Sequence, residues 1–256
     1  MNDKLLTTAE PCEGVMLVTL NRPKKRNALS AELKIALTET AKALSERNDI
    51  GAVILTGNGS GFTSGNDISE GNSFAQGLSL PEARRHIRLG LEMCNAWEAM
   101  PQLSIAAIEG FCVGGGISLA VACDFRILHS NAWLRAPEVE LGITFSWGTL
   151  PRLVRLVGPN RAKLIAVLAR KIDAKTALSW GLCDNVVDDV MQEALDMAKE
   201  ISLKPRVAQQ MIKESINRLK VGSDNSTLEQ DQVLLNMTDP NTRVLQSNIL
   251  KGLSDK

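Results

Sequence analysis

Residues 104–124 read SIAAIEGFCVGGGISLAVACD, and this stretch decides the class of fold. SIAAI is a short apolar run of the kind that forms a strand buried on both faces. Three glycines at 114–116 then break the run, and ISLAVA carries the chain into a helix. FRIL, at 125–128, reads as the next strand. The same grammar appears upstream. GVMLVTLNRP (14–23) alternates like a half-buried strand before a Pro-containing break. Ser30 then caps AELKIALTETAKALSE (31–46), where Leu33, Leu37 and Leu44 recur at helical spacing, and AVILTG (52–57) is another buried strand closed by glycine. Strands alternating with helices predict right-handed crossovers and a largely parallel α/β sheet. A helix is expected from about Pro81 to Met100. Beyond Pro159 helical patterns dominate, in NRAKLIAVLAR (160–170), VMQEALDMAKEIS (190–202) and RVAQQMIKESINRLK (206–220).

Composition removes several classes of function. At 256 residues and 44% apolar, the chain fits one large globular domain with a smaller appendage. Its 29 basic and 29 acidic residues cancel, so no global field favours nucleic acid or an anionic membrane. Tyrosine is absent and aromatics are 4%, which removes both a tyrosine acid and a stacking platform for bases. No apolar run approaches a membrane span, and MNDKLLTTAE has no leader pattern, so a cytoplasmic protein is expected. Five cysteines without pairing motifs read as reduced, mostly buried thiols. His86 and His129 lack metal-ligand spacing, so no metal is expected, and His86 reads as a helix residue.

Three features carry chemistry. Neither GNGSG nor VGGG completes a dinucleotide fingerprint, and no P-loop exists. What Gly114, Gly115 and Gly116 offer is main-chain N–H groups at a helix start, without a Cβ to hold a substrate away. A tight turn packed on a neighbour accounts for the same glycines. GISLA, with Asp124 and His129, has the order of a hydrolase triad, but Ser118 lies a turn inside the helix, away from the strand-to-helix corner such a nucleophile needs. In APEVELGI (136–143), Glu138 and Glu140 share a face if the chain is extended. Apolar surroundings would make Glu138 basic enough to take a proton from carbon. A structural ion pair is the competing account.

Taken in order, NRPKKRNALS (21–30), GFTSGNDI (61–68), residues 104–124, APEVELGI and GLCDNVV (181–187) resemble the crotonase superfamily, the enoyl-CoA hydratase/isomerase family. The resemblance implies a crotonase-like spiral of ββα units over residues 1–197. It implies a C-terminal helical oligomerisation region over 198–256, and a homotrimer or dimer of trimers. It implies an acyl-CoA substrate whose enolate is held in an oxyanion hole made by the main-chain N–H groups of Asn66 and Gly115. Coenzyme A, as part of the substrate, would be bound by Arg26, Ala28, Asn66, Asp67, Ile68 and Ser69 as well as Gly115, and no separate cofactor is implied. Lys24 and Lys25 stand beside Arg26 as phosphate neighbours or as a solvated charge run.

One departure decides the expected chemistry. The resemblance implies two glutamates for a hydratase of the family, the second matching Glu138, while the first position here is Ser118. Serine cannot act as the second carboxylate base. The resemblance therefore favours Δ3-to-Δ2 enoyl-CoA isomerisation with Glu138 as a single proton shuttle. Enoyl-CoA hydratase activity and a non-catalytic CoA-binding paralogue remain the alternatives. The resemblance implies a further acid in this loop for dienoyl-CoA isomerases, and TFSWGT (144–149) has Ser146 instead, which disfavours that branch. Glu140 is the carboxylate that would revive the hydratase if it reached the site, and Trp133 and Trp147 are candidate walls of the acyl pocket.

Overall fold

The computed structural model describes residues 4–70, 79–219 and 244. In chain order its elements are β1 (Leu6–Cys12), β2 (Val15–Leu20), α1 (Ala31–Ser45), β3 (Ala52–Gly57), α2 (Leu80–Ala99), β4 (Leu103–Ile108), β5 (Phe111–Val113) and α3 (Gly115–Ala120). There follow β6 (Phe125–His129), β7 (Trp133–Arg135), α4 (Thr149–Leu168), β8 (Ile172–Asp173), α5 (Ala174–Trp180), β9 (Asn185–Val187), α6 (Val190–Ser202) and α7 (Arg206–Leu219). The main sheet runs β1-β2-β3-β4-β6-β9, parallel throughout except for the β1–β2 hairpin. A small second sheet, β5-β7-β8, stands beside it.

The continuous apolar runs follow from burial on both faces. In β3, Val53 and Leu55 enter the main core with α1 and α2, while Ala52 and Ile54 face Val190, Ala194 and Ala198 of α6. In β4, Ala106 and Ile108 enter the main core, and Ile105 and Ala107 meet α6. β2 is also covered on both sides, with Val15 on the α6 side and Val18 and Leu20 in the main core. This corrects the half-buried reading of that strand. Ser30 caps α1 by accepting from the Leu33 N–H, and Leu33, Leu37 and Leu44 are buried as the spacing predicts.

The sequence reading misses elements that carry little pattern. β1 is a mostly exposed edge, and β8 and β9 are two and three residues long. Yet β9, within GLCDNVV, completes the main sheet against β6. Helix also begins ten residues before Pro159, the chain bending at Gly158 (φ 78°) inside α4. The expected division at 197/198 falls inside α6, and most of the expected C-terminal region lies outside the described residues. Among the described residues no helix is long and apolar enough to cross a membrane.

α7 is tied to the turn before β6 by an ion pair whose lysine is buried and whose aspartate is half-buried. Lys213 Nζ lies 2.6 Å from Asp124 Oδ2 and also donates to the Gln102 carbonyl at 2.8 Å. Removing one member of such a pair strands the other charge away from water. Asp124→Ala is expected to lose about 3–5 kcal/mol of stability, read by urea unfolding at fixed protein concentration. A loss near that of an exposed pair would show that Lys213 finds another partner.

Candidate active site

The site is built where three loops are laced together by main-chain hydrogen bonds. The Leu29 N–H donates to the Gly65 carbonyl at 2.8 Å, and the Asp67 N–H donates to Leu29 at 3.2 Å. On the other side, the Val113 N–H donates to Thr63 at 3.0 Å and the Gly114 N–H to Arg135 at 2.8 Å. The ladder at Asn66 thus uses its neighbours' groups and leaves the Asn66 N–H outside it. Gly115 opens α3, so its N–H has no partner within the helix. At Gly65 (φ 89°) a Cβ would press on the Val113 carbonyl and the Gly115 N–H, which puts residues 65 and 115 back to back. With six residues α3 carries little dipole, so the N–H groups themselves are what the turn offers.

Glu138 comes to this turn from the neighbouring strand of the same small sheet, just after β7, which pairs with β5. Its Oε1 would stand 3.2 Å from a Cβ on Gly114, a crowded approach at a residue whose φ of 53° already favours glycine. The residue is 8% exposed, and its Oε2 is buried without a hydrogen-bond partner among the described residues. Burial raises its pKa above the ordinary 4.5 because the charged form loses solvation. The local backbone is a 3-10 turn over Glu138–Leu141 and is not extended. Glu138 and Glu140 therefore do not share a face. Glu140 is exposed and bonds Arg135 through both oxygens at 2.8 Å, so the expected alternative carboxylate points away from the site.

A cavity of about 300 Å³ opens in front of Glu138 and reaches Asn66, Gly115 and Ser118. Ser118 is buried on α3 and shares a 2.6 Å hydrogen bond with Thr149 Oγ1. Among the described residues, Glu138 is the one carboxylate lining this cavity. Trp147 forms one wall. Its indole lies so close to Gly90 of α2 and Gly115 of α3 that a Cβ on either would overlap the ring. Arg152 holds this loop by donating to the carbonyls of Trp147 and Gly148, and is anchored by Glu98 at 2.6 Å. Trp133 is elsewhere, against Phe111 and under Lys171, and does not line the cavity.

Two polar residues reach the cavity that the sequence reading left out of the site. His86 is on α2, as expected of a helix residue, but it is half-buried and lines the cavity. Lys34, on α1, is only 3% exposed; its Nζ donates to Asn66 Oδ1 at 2.8 Å and stands 5.2 Å from the centre of a Trp147 ring. Burial lowers its pKa, against the pull of Glu70 and Asp67. Its signal was its place in the first turn of α1, directly after the NALS loop.

Of the expected CoA-binding residues, Asn66 and Gly115 line the cavity, and Arg26, Ala28, Asp67, Ile68 and Ser69 lie outside its lining on the adjoining loops. Arg26 is exposed in a left-handed turn (φ 51°) with its guanidinium over Phe111, and Ala28 is buried behind it. Asp67 is buried, pairs with Arg22 at 2.8 Å and accepts from the Ser69 N–H and hydroxyl. Its carboxylate is a brace for the loop, which leaves Ile68, 82% exposed, as the projecting residue. The hydrolase triad is excluded, since Ser118 is committed to Thr149 and Asp124 to Ser104 and Lys213. Four cysteines are buried and Cys12 partly so, all as free thiols, with Cys94 and Cys123 pushed up to about 12 by burial.

Known proteins resemble this chain in sequence and in fold. The family model described as enoyl-CoA hydratase/isomerase matches residues 10–249. Among curated relatives, a crotonyl-CoA hydratase of Syntrophomonas wolfei is 38% identical over 208 residues, covering 80% of this chain and 78% of the relative. A short-chain-enoyl-CoA hydratase of Clostridium acetobutylicum is 38% identical over 207 residues, with the same coverage. Among solved structures, an enoyl-CoA hydratase from Bacillus anthracis superposes with a TM-score of 0.88 at 30% identity, covering 97% of both chains. DspI of Pseudomonas aeruginosa superposes at 0.90 with 29% identity, covering 98% of this chain and 96% of that one.

The buried Glu138 leaves a signature in stability. Its folded pKa lies above its unfolded value, so the folded state binds this proton more tightly, and the benefit is lost as pH rises through the folded pKa. Glu138→Gln is therefore expected to melt above the wild type at pH 8. The difference should vanish below about pH 4.5, where both states of the wild type hold the proton. A gain independent of pH would mean that the carboxylate is solvated.

Proposed function

Because the chain belongs to the enoyl-CoA hydratase/isomerase family, we propose that it takes an acyl-CoA thioester and stabilises its enolate, with Glu138 as the single base of a Δ3-to-Δ2 enoyl-CoA isomerase. The observation that carries this reading is the buried Glu138 Oε2, without a partner and alone as a carboxylate in the cavity among the described residues. In this reading the main-chain N–H groups of Asn66 and Gly115 hold the thioester oxygen. Glu138 removes a proton from C2 of a 3-enoyl thioester. The electron pair spreads over C2–C4 and onto the oxygen, and the same carboxyl returns the proton at C4. No second base is needed, and coenzyme A enters as part of the substrate, bound along Arg26, Ala28 and the 66–69 loop. A raised pKa favours proton abstraction, and activity needs the carboxylate, so kcat/KM should rise with pH through a value above 4.5.

Hydration is the second reading, favoured by the hydratase names of the relatives. The feature that would serve it is the Ser118–Thr149 hydroxyl pair, able to hold a water but unable to act as a carboxylate base. An assembly of three copies, or two such trimers, remains part of the proposal; Ile212, Ile216 and Leu219 supply an exposed apolar face on α7 for it.

The test is turnover of matched 3-enoyl-CoA and trans-2-enoyl-CoA series with product masses recorded. Conversion of 3-enoyl to 2-enoyl at unchanged mass, reduced about 10²–10⁴-fold in Glu138→Gln, supports the isomerase. Addition of one water to the 2-enoyl series, faster than isomerisation, overturns it in favour of the hydratase.

A further inference from the structure

The first turn of α1 buries a lysine beside the leucines of its core stripe. Lys34 Nζ is held by Asn66 Oδ1 and by the face of Trp147, and all three residues line the cavity that contains Glu138. Asn66 is the residue whose main-chain N–H is proposed to hold the thioester oxygen, so the amine stands one amide side chain away from the reacting end of the substrate. The wall behind it is built for it. Trp147 lies flat because positions 90 and 115 are glycine, and Arg152 fixes the carbonyls of residues 147 and 148.

An ammonium in such a cavity keeps its charge only if its donors are satisfied. It has three, of which Asn66 takes one, and the ring face adds a weaker attraction. The nearest acids are engaged elsewhere as well. Asp67 pairs with Arg22, and Glu70 accepts from the Ala31 N–H at 3.0 Å. A hydrocarbon acyl chain entering the cavity would displace water from the ammonium and return nothing, whereas a carboxylate would return a charge-assisted hydrogen bond. Resting on the acyl-CoA reading above, we propose that Lys34, with Asn66 and Trp147, makes this enzyme select acyl groups bearing a second carboxylate, that is, CoA half-thioesters of dicarboxylic acids.

Binding tests this without requiring turnover. Malonyl-, succinyl- and glutaryl-CoA are titrated calorimetrically against the wild type beside propionyl-, butyryl- and valeryl-CoA, their methyl-ended counterparts of equal carbon number. The expected result is a preference of about tenfold or more for at least one dicarboxylic member. That ratio should fall to about one in Lys34→Met and drop partway in Asn66→Ala. Equal affinities in the wild type, or a preference for the methyl-ended member, overturn the proposal before any variant is made and leave the acyl-CoA reading standing. A preference that survives Lys34→Met, or a loss shared equally by both members of each pair, also overturns it. If no thioester of either series binds, the acyl-CoA reading itself fails and this proposal with it.

Discussion

Everything in the site depends on one segment, Thr63–Asn66, being stitched into the fold from both sides. Asn27 is fully buried in a left-handed conformation (φ 54°) that asparagine tolerates better than most residues. Its amide donates to the carbonyls of Asn58 and Gly61, and its own carbonyl accepts from Thr63 Oγ1 at 2.6 Å. The same hydroxyl accepts from the Gly65 N–H at 3.1 Å. These bonds fix a loop that belongs to neither sheet. Once it is fixed, the N–H of residue 66 has one place to point, and the turn at 114–116 is bonded to it through Val113.

Desolvation then divides the labour inside the cavity. Glu138 and Lys34 are both buried and both lose solvation, and the two pKa values move toward each other as burial favours the neutral form of each. A carboxyl pushed upward becomes a better proton acceptor. An amine pushed downward becomes dependent on whatever negative charge the cavity receives. Lys34 is held against Asn66 and an indole face, and Glu138 lies against a glycine. A Cβ at positions 90, 114 or 115 would crowd the indole or the carboxylate.

Much of this was legible in the chain. AVILTG and SIAAI read as strands because double-sided burial removes polar residues from both faces, and the structure gives them cores on both sides. β1, β8 and β9 are not legible in the sequence, since an exposed edge and strands of two or three residues leave no periodic trace. Glu138 was found because a carboxylate after proline in an apolar run is conspicuous. Its imagined partnership with Glu140 failed because a 3-10 turn replaces the extended chain and Arg135 draws Glu140 outward. Lys34 is not legible in the sequence because hydrophobic periodicity counts apolar residues, and a lysine beside the buried stripe of a helix is assigned to solvent.

The sequence by itself determined the class of fold, the glycine turn, the single glutamate and the serine in place of a second one. These are statements about residue types in order, and local spacing carries them. Which of those residues meet was decided by the tertiary structure alone. The pairing of Ser118 with Thr149, the isolation of the Glu138 carboxylate and the burial of Lys34 against Asn66 join segments that lie about 20 to 30 residues apart or more along the chain. Such contacts depend on how the sheet stacks its crossovers, and no local pattern records them. The physical reason is that desolvation, which gives these groups their chemistry, belongs to the assembled cavity and to no segment of it.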